Sequence, residues 1–253
     1  MKKHIPNTLT CCNLISGCIA TYFAFQSNYS TAFAFIILGA IFDFFDGFAA
    51  RLLHVSSPVG KELDSLADDI TFGFAPSAIV FSLIGSLLQQ AQIGTDDTGT
   101  GLLSHPFVVN YLPYLAFLMA AFSALRLAKF NLDERQTTSF IGLPTPANAL
   151  FWAALSVSFS GEAFSDLQRE LLSIGLLVGV IISCWLLVAE IPMFALKFKH
   201  FGIRGNEIRY VFILFSLVLL LLLGWAGFSA IIILYILTSI ADNALGTKVA
   251  SKE

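Results

Sequence analysis

"DFFDGFAARLLHVSSPVGKELDSLAD", residues 43–68, holds four aspartates, a glutamate, a lysine and an arginine inside a chain that otherwise reads as lipid-soluble. Of the 253 residues, 57% are hydrophobic and only 12% charged, with a mean hydropathy of +0.80. Soluble domains run near about a quarter charged. The composition predicts an integral membrane protein with no nucleic-acid partner. An ionisable side chain at the centre of a span costs about 2.5 to 3.5 kcal/mol. The charges of 43–68 therefore need a shared compensation.

Working outward, eight apolar runs lie at about 8–26, 31–53, 63–88, 107–128, 143–160, 171–191, 210–224 and 228–244, each near the roughly 20 residues that a spanning helix needs. The connections are short, and no charge block or low-complexity linker marks a second domain. The reading is an all-α, polytopic helical bundle of eight transmembrane helices, one domain over residues 1–253, with a short amphipathic segment at 2–8 on the membrane surface. With the N-terminus inside, thirteen of the fourteen Lys and Arg residues fall on one side and Arg169 alone on the other. Positive charge marks the cytoplasmic side, so the expectation is N-in, C-in, with 43–68 at the cytoplasmic surface. The "IPNTLTCCNL" run after Lys2 and Lys3 is too polar for a secretory signal core, so residues 1–25 are not read as a signal peptide. The four cysteines have no disulfide or zinc spacing and are expected to pack.

If residues 34–53 are helical, Asp43 and Asp46 share a face with Gly47 and Ala50, and Arg51 stands one turn further on. Asp64 and Asp68, four apart, share a face of the next helix, and Gly60 after Ser57-Pro58 is expected to supply the bend between the two. Carboxylates at this density, with only oxygen donors, suit hard cations, Mg²⁺ or Mn²⁺. Two ions fit four carboxylates, the arrangement used in phosphoryl transfer. Gly47 and Ala50 leave room for a polar ligand against the backbone, and Arg51 can pair with a phosphate. Solvated loop charges are the plainer reading for any one of these residues, but four aspartates at helical spacing on two helices weigh against it. A transporter is the rival class, yet it predicts charges at the midplane and repeat symmetry, and neither is visible.

The pattern Asp43-x-x-Asp46-Gly47-x-x-Ala50-Arg51, then Gly60, Asp64 and Asp68, resembles the signature of the CDP-alcohol phosphotransferases, without departure. The resemblance implies a membrane enzyme that moves a phosphatidyl or related group from a CDP-activated donor to an alcohol and releases CMP. It implies that Asp43, Asp46, Asp64 and Asp68 hold two divalent ions, that Gly47, Ala50 and Arg51 help bind the nucleotide, and that Asp68 takes the acceptor's proton. A homodimer is implied as well.

The stretches 5–17, 60–76, 124–131 and 142–149 are similar to the bacterial branch that makes phosphatidylserine, which implies CDP-diacylglycerol and L-serine as substrates and a site facing the cytoplasm from a bacterial inner membrane. Glycerol phosphate or inositol phosphate would be alternative acceptors in the same chemistry. One departure is Asp69, where that branch usually has an uncharged apolar residue. Serine needs a cation for its carboxylate, and Arg126, Lys129, Asn131 and Arg135 are the candidates, with positive-inside anchoring as the competing reading. Lys61, beside Gly60, can reach a donor phosphate or simply snorkel. Asn7, Thr10 and Asn13 recur every three residues and can hydrogen-bond cytosine or the acceptor, although Asn7 also suits a helix cap. "GLPTPA" reads as a helix start.

Overall fold

The computed structural model describes residues 4–94, 105–132, 140–193, 202 and 206–250. Helices α1 (His4–Phe25), α2 (Tyr29–Leu52) and α3 (Pro58–Asp68) lead into a six-residue π-helical stretch, Asp69–Phe74, and α4 (Ala75–Gly94). Then come α5 (Pro106–Tyr111), a 3₁₀ segment (Leu112–Phe117), α6 (Leu118–Leu132), α7 (Thr145–Phe159), α8 (Asp166–Val188), α9 (Glu207–Leu223) and α10 (Ala226–Ala250). Five continuous runs are long and apolar enough to cross a membrane: His4–Phe25, Tyr29–Leu52, Pro58–Ala91, Pro106–Leu132 and Asp166–Val188. The other three expected spans are helical too, but α7 has 15 residues and the apolar parts of α9 and α10 are shorter than a full crossing. The protein is an all-α, polytopic membrane protein.

Three local expectations change. Residues 4–8 run without a break into α1, so among the described residues no separate amphipathic segment precedes the first span. Asn7 accordingly lies inside the first turns of α1 and does not cap it. Gly60 is not the bend: Ser57 caps α3, its Oγ accepting from the Gly60 N–H at 2.9 Å, and Pro58 occupies the first helical position, where its missing N–H costs least. The chain turns just before, where His54 adopts φ 52°. A two-residue antiparallel pair, β1 (Phe140–Ile141) with β2 (Pro192–Met193), was not foreseen. Gly142, at φ 75°, follows it so closely packed that a Cβ would lie 2.8 Å from the Leu187 carbonyl oxygen.

The packing that positions the site starts on α1. Its buried residues, Pro6, Thr10, Asn13, Gly17, Ala20 and Ala24, recur every three or four positions and form one stripe of small and polar side chains. Small residues let backbones approach closely in a membrane bundle, where lipid tails are as apolar as leucine. Gly17 of α1 and Gly39 of α2 both abut Thr71: a Cβ on Gly17 would strike the Thr71 side chain, and one on Gly39 would lie 2.5 Å from Thr71 Cγ2. The Thr71 hydroxyl donates to the Asn13 carbonyl at 3.0 Å. Beyond this contact the interior turns apolar, with Phe33, Ile36, Phe72, Ile79 and Trp152 buried, while Phe44, Phe45, Phe48 and the leucines of α9 point outward.

Candidate active site

Asp43 of α2 and Asp64 and Asp68 of α3 bring carboxylate oxygens within 4.8 Å of one another, each residue half-buried. Helical spacing explains it: the four-residue step of 64 and 68 stacks two carboxylates on one face of α3, and α2 delivers Asp43 across from them. Asp46 stands beside this group and not in it. It is 6% exposed, and its Oδ2 accepts from the Thr10 hydroxyl at 2.6 Å, yet it is near enough for its charge to act on all three neighbours. Asn13 Nδ2 donates to Asp68 Oδ1 at 3.1 Å. Thr10 and Asn13, expected to reach cytosine or the acceptor, each donate to a carboxylate here.

Beside the carboxylates lies a cavity of about 270 Å³ lined by Asn7, Thr10, Asp46, Gly47, Ala50, Gly60, Lys61 and Asp64, among others. Gly47 and Ala50 on α2 and Gly60 on α3 contribute almost no side chain, which keeps the walls close to bare backbone. Five of the seven expected donor-binding residues line it. Asn13 does not, and Arg51 is exposed at the end of α2, folded back so that Nη1 lies 3.5 Å from where a Gly47 Cβ would be. Lys61 Nζ donates to the Asn131 carbonyl at 2.9 Å, and Asn131 Nδ2 donates to Ser65 Oγ at 2.8 Å, tying α3 to the end of α6. On the far side of α2 an apolar hollow of about 280 Å³ is lined by Ile37, Ala40, Ile41, Phe44, Phe45, Leu150 and Phe228.

The candidate acceptor residues do not stay together. Arg126 is 7% exposed and turned inward, close enough to interact with the Asp68 charge, and its Nε and Nη2 have no hydrogen-bond partner. Lys129, three residues on, is exposed. Asn131 is occupied with α3, and Arg135 lies outside the described residues. The sequence reading missed Thr71 and Ser123, whose hydroxyls carry no spacing signal of their own, although Ser123 lies one helical turn before Arg126.

Close-set carboxylates with no cation between them repel, and a donor set of oxygens alone is what a hard divalent ion takes. Asp43, Asp64 and Asp68 fit such an ion, with Asp46 adjacent.

The helix bundle thus gathers hard-cation ligands beside a cavity with walls of small residues. The chain belongs to the CDP-alcohol phosphatidyltransferase family, whose model matches residues 3–240. It is 32% identical over 205 residues to the CDP-diacylglycerol--serine O-phosphatidyltransferase of Bacillus subtilis (strain 168), covering 81% of this chain and 95% of that protein. A protein of the same name from Methanocaldococcus jannaschii is 32% identical over 177 residues, 70% of this chain and 69% of its own length. One from Helicobacter pylori (strain J99) is 30% identical over 175 residues, 68% of this chain and 65% of its own length.

Proposed function

We propose that this enzyme transfers the phosphatidyl group of CDP-diacylglycerol to the hydroxyl of L-serine, giving phosphatidylserine and CMP. The names of its relatives support the donor and acceptor. The observation that carries the acceptor is Arg126: Nε and Nη2 form the side-on edge of a guanidinium, the edge that takes a carboxylate through two parallel bonds, and here it is buried and unpartnered near Asp68.

In this reading the cytidine diphosphate lies in the cavity between α1, α2 and α3, against Gly47, Ala50 and Gly60. Lys61 faces its phosphates, and Arg51 reaches them from the end of α2. The apolar hollow across α2 offers the acyl chains a course within the bilayer, so that the donor enters sideways from lipid while serine arrives from the cytoplasm. Two Mg²⁺ or Mn²⁺ ions, held by Asp43, Asp46, Asp64 and Asp68, would offset the negative charge on the diphosphate.

Asp68 takes the proton of the serine hydroxyl as that oxygen forms its bond to the lipid-bearing phosphorus, and CMP departs with the electrons of the broken P–O bond. Asn13 orients Asp68 for this task by donating to Oδ1. Thr10 fixes Asp46 in the same manner. The membrane is proposed to be a bacterial inner membrane, with the site on its cytoplasmic face and the enzyme a homodimer.

The test is an acceptor screen: purified protein with CDP-diacylglycerol and Mg²⁺ or Mn²⁺ is offered L-serine, glycerol phosphate and inositol phosphate in turn. Phosphatidylserine and CMP in equal amounts are expected, and chelation stops the reaction. Product from glycerol phosphate but not from serine would remove the acceptor assignment while leaving the family chemistry intact.

A further inference from the structure

Behind the carboxylate group, on the side away from the nucleotide cavity, a second set of polar side chains is buried between the π-helical stretch and α6. The π turn widens the helix and shifts the phase of the later residues by about one position, near 100°. Asp69, one residue after Asp68 and so about 100° further around the helix, faces α6 across Gly73. Gly73 makes room for it: a Cβ there would lie 2.6 Å from Asp69 Oδ1 and 3.4 Å from Ser123 Oγ. The carboxylate oxygen and the hydroxyl are thus no further apart than those two distances together, about two hydrogen-bond lengths. They do not bond to each other, and both are buried without any partner. Ser123 is 0% exposed. One turn along the same face of α6 is Arg126, whose side-on edge is likewise unpartnered.

A buried polar group without a partner is costly, and Asp69, Ser123 across from it and Arg126 one turn along α6 would all be satisfied by one occupant. A single atom that donates hydrogen bonds to both would satisfy Asp69 Oδ1 and Ser123 Oγ. Arg126 accepts an anion. A molecule with a cationic nitrogen and a carboxylate a few ångströms apart, and a hydroxyl able to reach the neighbouring Asp68, meets all three demands.

We propose that Asp69 and Ser123 form the ammonium subsite for the acceptor, making this enzyme select α-amino acids over hydroxy acids. The inference rests on the serine reading above and deepens it. Asp69 supplies the counter-charge and Ser123 a second acceptor, while Arg126 holds the carboxylate, so the hydroxyl is presented to Asp68 by bonds at both other ends of the molecule. Asp69 is a binding residue and takes no part in proton transfer.

The experiment measures steady-state kinetics of the full-length enzyme with CDP-diacylglycerol for wild type, Asp69→Asn and Asp69→Val, the second being apolar as in the branch that this chain resembles. Expected is a five- to twentyfold rise in KM for L-serine in both variants, with kcat and the KM for CDP-diacylglycerol within about twofold of wild type. Competition by 3-hydroxypropionate, which keeps the carboxylate and hydroxyl but lacks the ammonium, should be equal in all three proteins. A KM for serine unchanged in both variants, or weakened 3-hydroxypropionate competition in parallel with it, overturns the subsite, the first outcome pointing to a merely hydrated pocket. If wild type makes no phosphatidylserine at all, it is the serine assignment that has failed, and the subsite with it. A variant that does not fold is recognised by its elution profile, and Ser123→Ala then carries the same expectation.

Discussion

The two sides of the carboxylate group differ in how completely their polar atoms are satisfied. Toward α1, the donors Thr10 and Asn13 are already matched to Asp46 and Asp68, with Asn13 Oδ1 the one buried atom of the two left without a partner. Toward α6, Asp69, Ser123 and Arg126 keep buried atoms without partners. A matched network holds its members in one geometry, whereas an unmatched one is completed only when something else arrives. The first side frames the carboxylates, and the second is the side proposed above to receive the acceptor.

The comparison can be broken most forcefully at Asp68. Asp68→Asn keeps the shape and removes the base, so turnover should fall by about 10² to 10⁴-fold, the usual worth of a general base, with CDP-diacylglycerol binding retained in a filtration assay; full turnover would mean that the frame orients a different base. Next, Thr10→Val deletes the hydroxyl that holds Asp46. Loss of such an outer partner typically costs about 10- to 100-fold in metal affinity, to be read by Mn²⁺ titration of activity. If the titration midpoint does not move, the matched bonds on this side are not what fixes the carboxylates.

A third test sharpens the role of close packing. Gly17→Ala pushes a methyl into Thr71, and overpacking of this kind costs about 1 to 3 kcal/mol; a lower midpoint of thermal unfolding in detergent, with the KM for serine unchanged among molecules that remain folded, separates frame from receptor. The smallest effect is expected for Lys61→Ala, a few-fold rise in the KM for CDP-diacylglycerol, since Lys61 is exposed and already engaged with a carbonyl and exposed charges contribute about 0 to 1 kcal/mol.

Much of the frame could be read before any coordinates. The 43/46 and 64/68 spacings place carboxylates on helix faces by periodicity alone, and three of the four do converge. The small residues at 47 and 50 announced a cavity that the structure contains, and Gly60, expected as a bend, lines it as well. What periodicity cannot give is the meeting of helices that are distant in sequence, and so the hydrogen bonds from Thr10 and Asn13 to Asp46 and Asp68 were not legible. The π stretch was illegible for a different reason: "DITFGF" is compatible with an ordinary helix, and only packing against α1, α2 and α6 reveals the widened turn. Arg126 and Lys129 looked alike because both are cations near a helix end. A three-residue step turns a helix by about 300°, and burial of one and exposure of the other separate them.

Because the three clustered aspartates and their hydrogen-bond donors on α1 all lie within residues 10–68, a chain leaving the ribosome owns every part of the frame before α6 has been made. Ser123 and Arg126 come later. Segments that emerge first fold first, so the clustered carboxylates are arranged on the nascent chain while α6 is still unmade, and a fragment that ends between residues 94 and 118 should take up Mn²⁺ without discriminating among alcohols.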